Sequence, residues 1–124
     1  MQSEVVVLVV DDDDSVRSSL VRLLNALGYT AHAATPTDDI VQLAAERAAT
    51  VVILDLQMRP TNGIEMARRL RSMPEANTLW LIALSASVLD GDEALSVFDR
   101  ILSKPCHADA LIAAIERAAL PSFE

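Results

Sequence analysis

The most constraining feature of this sequence is a set of unbroken apolar runs, each too short to form a buried helix. Residues 5–10 (VVVLVV) are all β-branched or leucine, and similar runs occur at residues 51–54 and 79–84. Continuous rather than alternating hydrophobicity is typical of strands covered on both faces, as in a parallel sheet. Weaker runs at residues 29–34 and 101–103 complete five predicted strands.

Helical patterns alternate with these runs. The first predicted helix, residues 14–27, places its apolar side chains on one face and ends at Gly28: Val16, Leu20, Leu23, Leu24 and Leu27. The segment from Thr35 to Asp38 has a capping Thr followed by Pro, which predicts a second helix over residues 36–48. The same reasoning predicts helices over residues 63–72, 91–98 and 108–119.

Strict alternation of five strands with five helices predicts an α/β fold. Right-handed crossovers then require a parallel, doubly wound sheet with helices on both faces. The flavodoxin-like strand order 2-1-3-4-5 is the common solution for a chain of this kind. We therefore expect residues 1–124 to form one domain.

Composition narrows the class of protein. No apolar run approaches the roughly 20 residues that cross a bilayer, and the N-terminus does not resemble a signal peptide. A single cysteine, Cys106, fits a reducing compartment, so a cytoplasmic location is expected. The formal net charge of −8 argues against binding to nucleic acid or to anionic membranes.

Polar residues follow the apolar runs at the positions where a parallel sheet has its ligand site. Asp11 and Asp12 follow the first predicted strand, and Asp55 follows the third. Ser85 follows the fourth strand and Lys104 the fifth. With strands one and three adjacent, these side chains are expected to converge.

Three carboxylates this close require either a cation or a proton. Oxygen ligands favour Mg²⁺, or Mn²⁺ in its place. Lys104 and Ser85 are suited to the oxygens of a transferred phosphoryl group, and Asp55 to the nucleophile that accepts it. A structural role for these residues is the weaker interpretation, because an unpaired carboxylate at the end of a buried strand is costly.

The sequence resembles the receiver family of two-component response regulators, which includes chemotaxis regulators, along nearly its whole length. The resemblance rests on VVLVVDDDDSVR, VVILDLQM with Asn62 and Gly63 downstream, LIALSAS and ILSKP. It implies that Asp12 binds the metal directly, Asp11 through water or in a supporting role, and Gln57 through its main-chain carbonyl. It also implies a small residue, here Ala86, beside Ser85.

The resemblance further implies a function in phosphorelay signalling. A sensor histidine kinase or a histidine phosphotransfer protein would supply the phosphoryl group to Asp55. The domain would catalyse its own phosphorylation and dephosphorylation without being a turnover enzyme. Homodimerisation, the output partner, and whether the domain is a stand-alone regulator or part of a larger protein stay open.

Three departures from the family pattern concern loops and output. Arg59 follows Met58 where the family usually has proline, and the segment from Ser85 to Lys104 is short. Ile101 occupies the position of the family's switching Tyr or Phe. Because isoleucine has few rotamers and no polar tip, we expect residues 88–98 to carry the output while Ile101 stays packed.

Two other classes of protein place their functional site at the end of a similar strand. A dehalogenase-type phosphohydrolase needs a second Asp two residues after the nucleophile, where this chain has Gln57. A flavodoxin-like electron carrier needs a phosphate loop after the first strand, where four consecutive aspartates would repel a flavin phosphate. Each alternative therefore conflicts with the residues that this sequence has at the required position.

Overall fold

Nine strands and helices follow one another in the residues that the computed structural model describes, namely 5–58, 62–73, 79–86, 97–104 and 107–119. The strands are β1 (Val6–Val10), β2 (Thr30–Ala34), β3 (Val51–Asp55), β4 (Trp80–Ser85) and β5 (Arg100–Ser103). The helices are α1 (Asp14–Ala26), α2 (Ile40–Glu46), α3 (Gly63–Arg71) and α4 (Ala108–Ala119). The helix predicted at 91–98 lies outside the described residues except for 97 and 98, which are not helical.

The five strands form one parallel sheet in the order β2-β1-β3-β4-β5, which confirms the predicted fold class and strand order. Helices cover both faces. Val7, Val9 and Ile53 pack under α1 and α4, whereas Leu8 and Leu54 pack under α2 and α3. This division follows from the alternation of side chains along a strand. The sheet is therefore the middle layer of three.

Aspartate side chains cap the first two helices. Asp13 Oδ1 accepts the Val16 N–H at 3.0 Å, and Asp39 Oδ1 accepts the Gln42 N–H at 3.1 Å. The prediction that Thr35 begins the second helix at residue 36 is wrong. The Asp38 Oδ2 accepts a hydrogen bond from the Thr35 N–H at 2.8 Å, which closes a separate turn. The helix α2 therefore begins only at Ile40.

Only part of the apolar stripe predicted for α1 packs on the sheet. Leu24 is fully buried, and Leu20 and Val21 pack partly against the same cluster. Val16 and Leu27, predicted on the buried face, are 40% and 49% exposed. The two exposed residues lie at the ends of the helix, Val16 in the first turn and Leu27 at the C-cap, whereas Leu24 is the residue buried against the core.

Two strands extend one residue beyond their predicted ends. β3 includes Asp55 and β4 includes Ser85, so both polar residues are the last members of buried strands. Asp11 and Lys104 directly follow β1 and β5. None of the helices in the described ranges combines the length and apolar composition needed to span a bilayer.

Candidate functional site

Three carboxylates meet at the carboxyl end of the central strands. β1 and β3 are paired so that Val10 lies opposite Leu54, which places the residues that follow them side by side. One carboxylate oxygen from each of Asp11, Asp12 and Asp55 lies within 4.8 Å of the others. The expected convergence of the three carboxylates is therefore present.

Asp11 is the most deeply buried of these acids, with 1% of its surface exposed. Its Oδ1 accepts the Asp13 N–H at 2.8 Å, whereas its Oδ2 has no hydrogen-bond partner among the described residues. Burial raises the pKa of Asp11 above its ordinary value of 3.8, and the nearby Asp55 charge raises it further, against the opposing Asp13 hydrogen bond. A buried carboxylate oxygen without a donor is costly.

A cation would relieve both the unpaired oxygen and the repulsion among the acids. The donor set consists of carboxylate oxygens, and the exposed Asp12 leaves one side open to water. Hard oxygen ligands with water access suit Mg²⁺ or Mn²⁺. The residues present therefore fit such an ion.

Asp55 is held from both sides. Its Oδ2 accepts a hydrogen bond from Lys104 Nζ at 2.7 Å, and its Oδ1 accepts the Gln57 N–H at 2.9 Å. Only 3% of the Asp55 surface is exposed. The ion pair orients one carboxylate oxygen toward Lys104 and the other toward the loop after β3.

Ser85 and Lys104 are joined by their main chains. The Lys104 N–H donates to the Ser85 carbonyl at 2.9 Å, which continues the pairing of β4 with β5. Ser85 is buried and Lys104 is half-buried. The pairing thus brings the hydroxyl-bearing residue next to the residue that neutralises Asp55.

The Gln57 side chain connects two loops of the site. Its Oε1 accepts the Ala86 N–H at 3.0 Å, so the loop after β3 is tied to the end of β4. The resemblance to the receiver family implied only a main-chain role for Gln57. The side-chain contact depends on loop conformation, and no pattern in the sequence predicts it.

Gly63, the first residue of α3, lies directly against the backbone of Asp55. A Cβ at this position would lie 2.6 Å from the Asp55 carbonyl oxygen and 3.0 Å from the Leu56 Cα. The Gly63 N–H donates to the Leu56 carbonyl at 3.3 Å. The Asn62–Gly63 pair indicated a turn, but this close approach to the end of β3 was not predicted.

Ile101 and Ala86 are the residues predicted for the switch region. Ile101 lies in β5, half-buried and packed against the core under α2 and α3. Ala86 is exposed beside Ser85. Arg59 and most of residues 88–98 lie outside the described residues.

Replacing Asp11 with Asn is expected to stabilise the metal-free protein and to weaken its stabilisation by Mg²⁺. The raised pKa means that the folded protein binds this proton more tightly than the unfolded chain does, so stability falls as pH rises from 3.8 through the folded pKa. At neutral pH, Asn relieves that cost and should raise the free energy of unfolding of the metal-free protein by about 1 kcal/mol.

Urea unfolding with and without Mg²⁺ measures this effect. The unsubstituted protein should gain about 2.7 kcal/mol when free Mg²⁺ is about a hundredfold above its dissociation constant, and Asp11→Asn should gain far less. Equal stabilisation of both proteins by Mg²⁺ would contradict a role for Asp11 in the cation site.

Comparison with known proteins places this geometry in a family. The sequence profile described as "Response regulator receiver domain" matches residues 7–116. The response regulator MprA of Mycobacterium sp. (strain KMS) is 34% identical over 108 residues, which are 86% of this chain and 47% of that protein. The sensor histidine kinase AtsR of Burkholderia thailandensis is 33% identical over 116 residues, which are 89% of this chain and 19% of that protein.

Solved structures give the same result. A CheY-like receiver domain from Methylobacillus flagellatus has a TM-score of 0.84 and 27% identity, with 94% of this chain and 99% of that chain covered. The Saccharomyces cerevisiae receiver domain of Ssk1, crystallised with the histidine phosphotransfer protein Ypd1, has a TM-score of 0.84 and 25% identity, with 100% and 97% covered.

The chain spans less than half the length of the two curated relatives described above. The profile match and the architecture agree along most of the chain. The chain belongs to the receiver-domain family of two-component response regulators, a family of signalling domains.

Proposed function

We propose that this receiver domain accepts a phosphoryl group on Asp55 from a phosphohistidine. The bond from phosphorus to the histidine nitrogen breaks as a bond from phosphorus to an Asp55 carboxylate oxygen forms. The observation that carries the proposal is the buried Asp55 carboxylate, ion-paired to Lys104 at 2.7 Å and adjacent to an unpartnered Asp11 oxygen. A carboxylate held in place beside other oxygens that can bind a cation suits phosphoryl transfer, because its catalysis is largely positioning and charge stabilisation.

The acidic residues are assigned to the cation. Asp11, Asp12 and Asp55 would hold Mg²⁺ or Mn²⁺ together with the main-chain carbonyl of Gln57. A bound Mg²⁺ would neutralise negative charge on the phosphoryl oxygens during transfer. Asp11 and Asp55 lie at the ends of the paired strands β1 and β3, and their carboxylates lie close together, which supports this assignment.

Lys104 and Ser85 are assigned to the phosphoryl oxygens. Lys104 already donates to Asp55 Oδ2, so it lies close enough to transfer that contact to an oxygen of the incoming group. Ser85 offers a hydroxyl donor from the neighbouring strand end. In this way the domain would promote both its own phosphorylation and, with an attacking water, its own dephosphorylation.

The donor is proposed to be a sensor histidine kinase or a histidine phosphotransfer protein. Support comes from the relatives, since AtsR is a sensor histidine kinase and the Ssk1 receiver was crystallised with a phosphotransfer protein. The net charge of −8 supports a protein partner over nucleic acid. The single cysteine supports a cytoplasmic location.

Output is proposed to pass through the segment around residues 88–98. Ile101 is half-buried against the core and lacks a polar tip that would favour exposure. Amide exchange with and without beryllofluoride would locate the change. Altered packing of Ile101 without a change in the segment would refute this proposal.

The direct test of phosphorylation uses a small phosphodonor such as phosphoramidate. We expect Mg²⁺-dependent addition of one phosphoryl group, followed by its location on Asp55 after borohydride reduction and peptide mapping. Labelling that is independent of a divalent cation, or located on another residue, would refute the proposal.

Replacing Lys104 with Met is expected to separate phosphoryl recognition from cation binding. The substitution removes the positive charge beside Asp55, so Mg²⁺ affinity should be retained or increased. Binding of beryllofluoride should fall at least about tenfold, because the variant loses a charge-assisted hydrogen bond. Titrations with Mg²⁺ and then beryllofluoride, followed by NMR, measure both steps. Loss of Mg²⁺ binding with normal beryllofluoride binding would contradict the assignment.

A further inference from the structure

Arg17 on α1 is largely shielded from solvent and contacts the acidic loop. Only 12% of its side chain is exposed. Its Nη1 donates to the main-chain carbonyl of Asp11 at 2.7 Å, and its Nη2 forms an ion pair with Asp14. One guanidinium group therefore bridges both ends of the segment from Asp11 to Asp14.

The carbonyl that Arg17 binds has a particular position in the site. It belongs to the peptide unit that joins the Cα of Asp11 to the Cα of Asp12, and a peptide unit is planar. Fixing the direction of this carbonyl therefore restricts the relative directions of the two carboxylates. The loop is also held by the Asp13 N–H on Asp11 Oδ1, at 2.8 Å.

We propose that Arg17 is a positioning residue for the cation site: it fixes the Asp11–Asp12 peptide so that both carboxylates face one ion. This inference rests on the proposed function of the acidic residues. A positive charge near a cation site opposes cation binding. Arg17 therefore favours the ion only if its geometric effect exceeds its electrostatic one.

Lysine separates these two effects. Arg17→Lys keeps the positive charge but loses the planar fork that contacts two groups at once. Arg17→Met removes both the charge and the donors. If charge alone mattered, the Lys variant would bind Mg²⁺ normally and the Met variant would bind it more tightly. If positioning dominates, both variants bind it more weakly.

The experiment is a calorimetric Mg²⁺ titration of the metal-free protein and its variants. We expect the dissociation constant to rise about tenfold in Arg17→Lys and Arg17→Met, the lower end of the loss seen when an outer partner of a metal ligand is removed. Arg22 lies exposed on the same helix, so Arg22→Lys and Arg22→Met are matched controls that should retain the original affinity.

Two further measurements isolate the contact with Asp11. Asp14→Asn removes the ion pair but keeps the carbonyl contact, so its Mg²⁺ affinity should stay within about threefold of the original, since an exposed ion pair contributes little. In the metal-free state, exchange of the Asp13 amide should be faster in Arg17→Lys. This readout requires neither Mg²⁺ nor phosphorylation, and it remains available if Arg17→Met fails to fold.

Phosphorylation by a small phosphodonor gives a separate check. At saturating Mg²⁺ the phosphorylation rate of Arg17→Lys should return to near the original value, because a high Mg²⁺ concentration fills a site whose affinity is weakened. Normal Mg²⁺ affinity in Arg17→Lys, an equal loss in Asp14→Asn, or unchanged Asp13 exchange would each overturn the inference. If the unsubstituted protein bound no Mg²⁺, the proposed function would fail, and this inference with it.

Discussion

Replacing Asp55 with Asn is expected to abolish phosphorylation of this domain. The amide lacks the anionic oxygen that attacks phosphorus, and it removes the negative partner of Lys104. The fold should survive, because the amide oxygen still accepts the Gln57 N–H that now bonds to Asp55 Oδ1. Intact-mass measurement after incubation with a phosphodonor and Mg²⁺ should show no added phosphoryl group.

Asp14→Asn is the matched control for that experiment. It makes the same chemical change at an exposed acid outside the carboxylate cluster, and it should be phosphorylated like the unsubstituted protein. Labelling of Asp55→Asn at the original level would show that another residue is the acceptor.

The second large effect is expected for Gly63→Ala. The new methyl group would overlap the Asp55 carbonyl oxygen and the Leu56 Cα, which are backbone atoms that cannot rotate away. Overpacking of this kind typically costs about 1–3 kcal/mol, and we expect the upper end of that range. Displacement of Asp55 should also slow phosphorylation by about tenfold to a hundredfold, since small misplacements of reacting groups are costly.

Gly28→Ala provides the comparison. Gly28 has a φ of +100° and no atom within 4 Å of a new Cβ, so only backbone strain is introduced. That strain costs about 1–2 kcal/mol, and phosphorylation should be unaffected. Urea unfolding and phosphorylation rates of both variants measure the contrast. A normal phosphorylation rate in Gly63→Ala would contradict the idea that this close approach holds Asp55 in place.

The fold and the composition of the site were predictable because both depend on patterns of sequence. Unbroken apolar runs identify strands buried on both faces, and their order along the chain places polar residues at one edge of the sheet. Asp11, Asp55 and Lys104 were located in this way, and the structure brings their side chains together.

The start of α2 and the contact of Arg17 depend on competition between neighbouring groups, so they were less predictable from the sequence. Thr35 and Asp39 are both good caps, and only the Asp38 contact with Thr35 decides between them. Arg17 resembles any helix-surface arginine in the sequence, because its contact with the Asp11 carbonyl depends on the path of the loop. Its spacing of three residues from Asp14 is typical of a local ion pair and does not indicate the contact with Asp11.

The burial of both faces of the central strands has a consequence for the energetics of signalling. The amides of β1, β3 and β4 should exchange with solvent only when most of the core opens. The loops at Asp12, Gln57 and Ala86 are exposed and held by a few individual hydrogen bonds, so they should open at a lower cost. The Asp55 carboxylate thus stands at the end of a strand that opens slowly, beside loops that open more readily. Under the proposed function, a rearrangement of these loops on phosphorylation would therefore draw little on the free energy that keeps the domain folded.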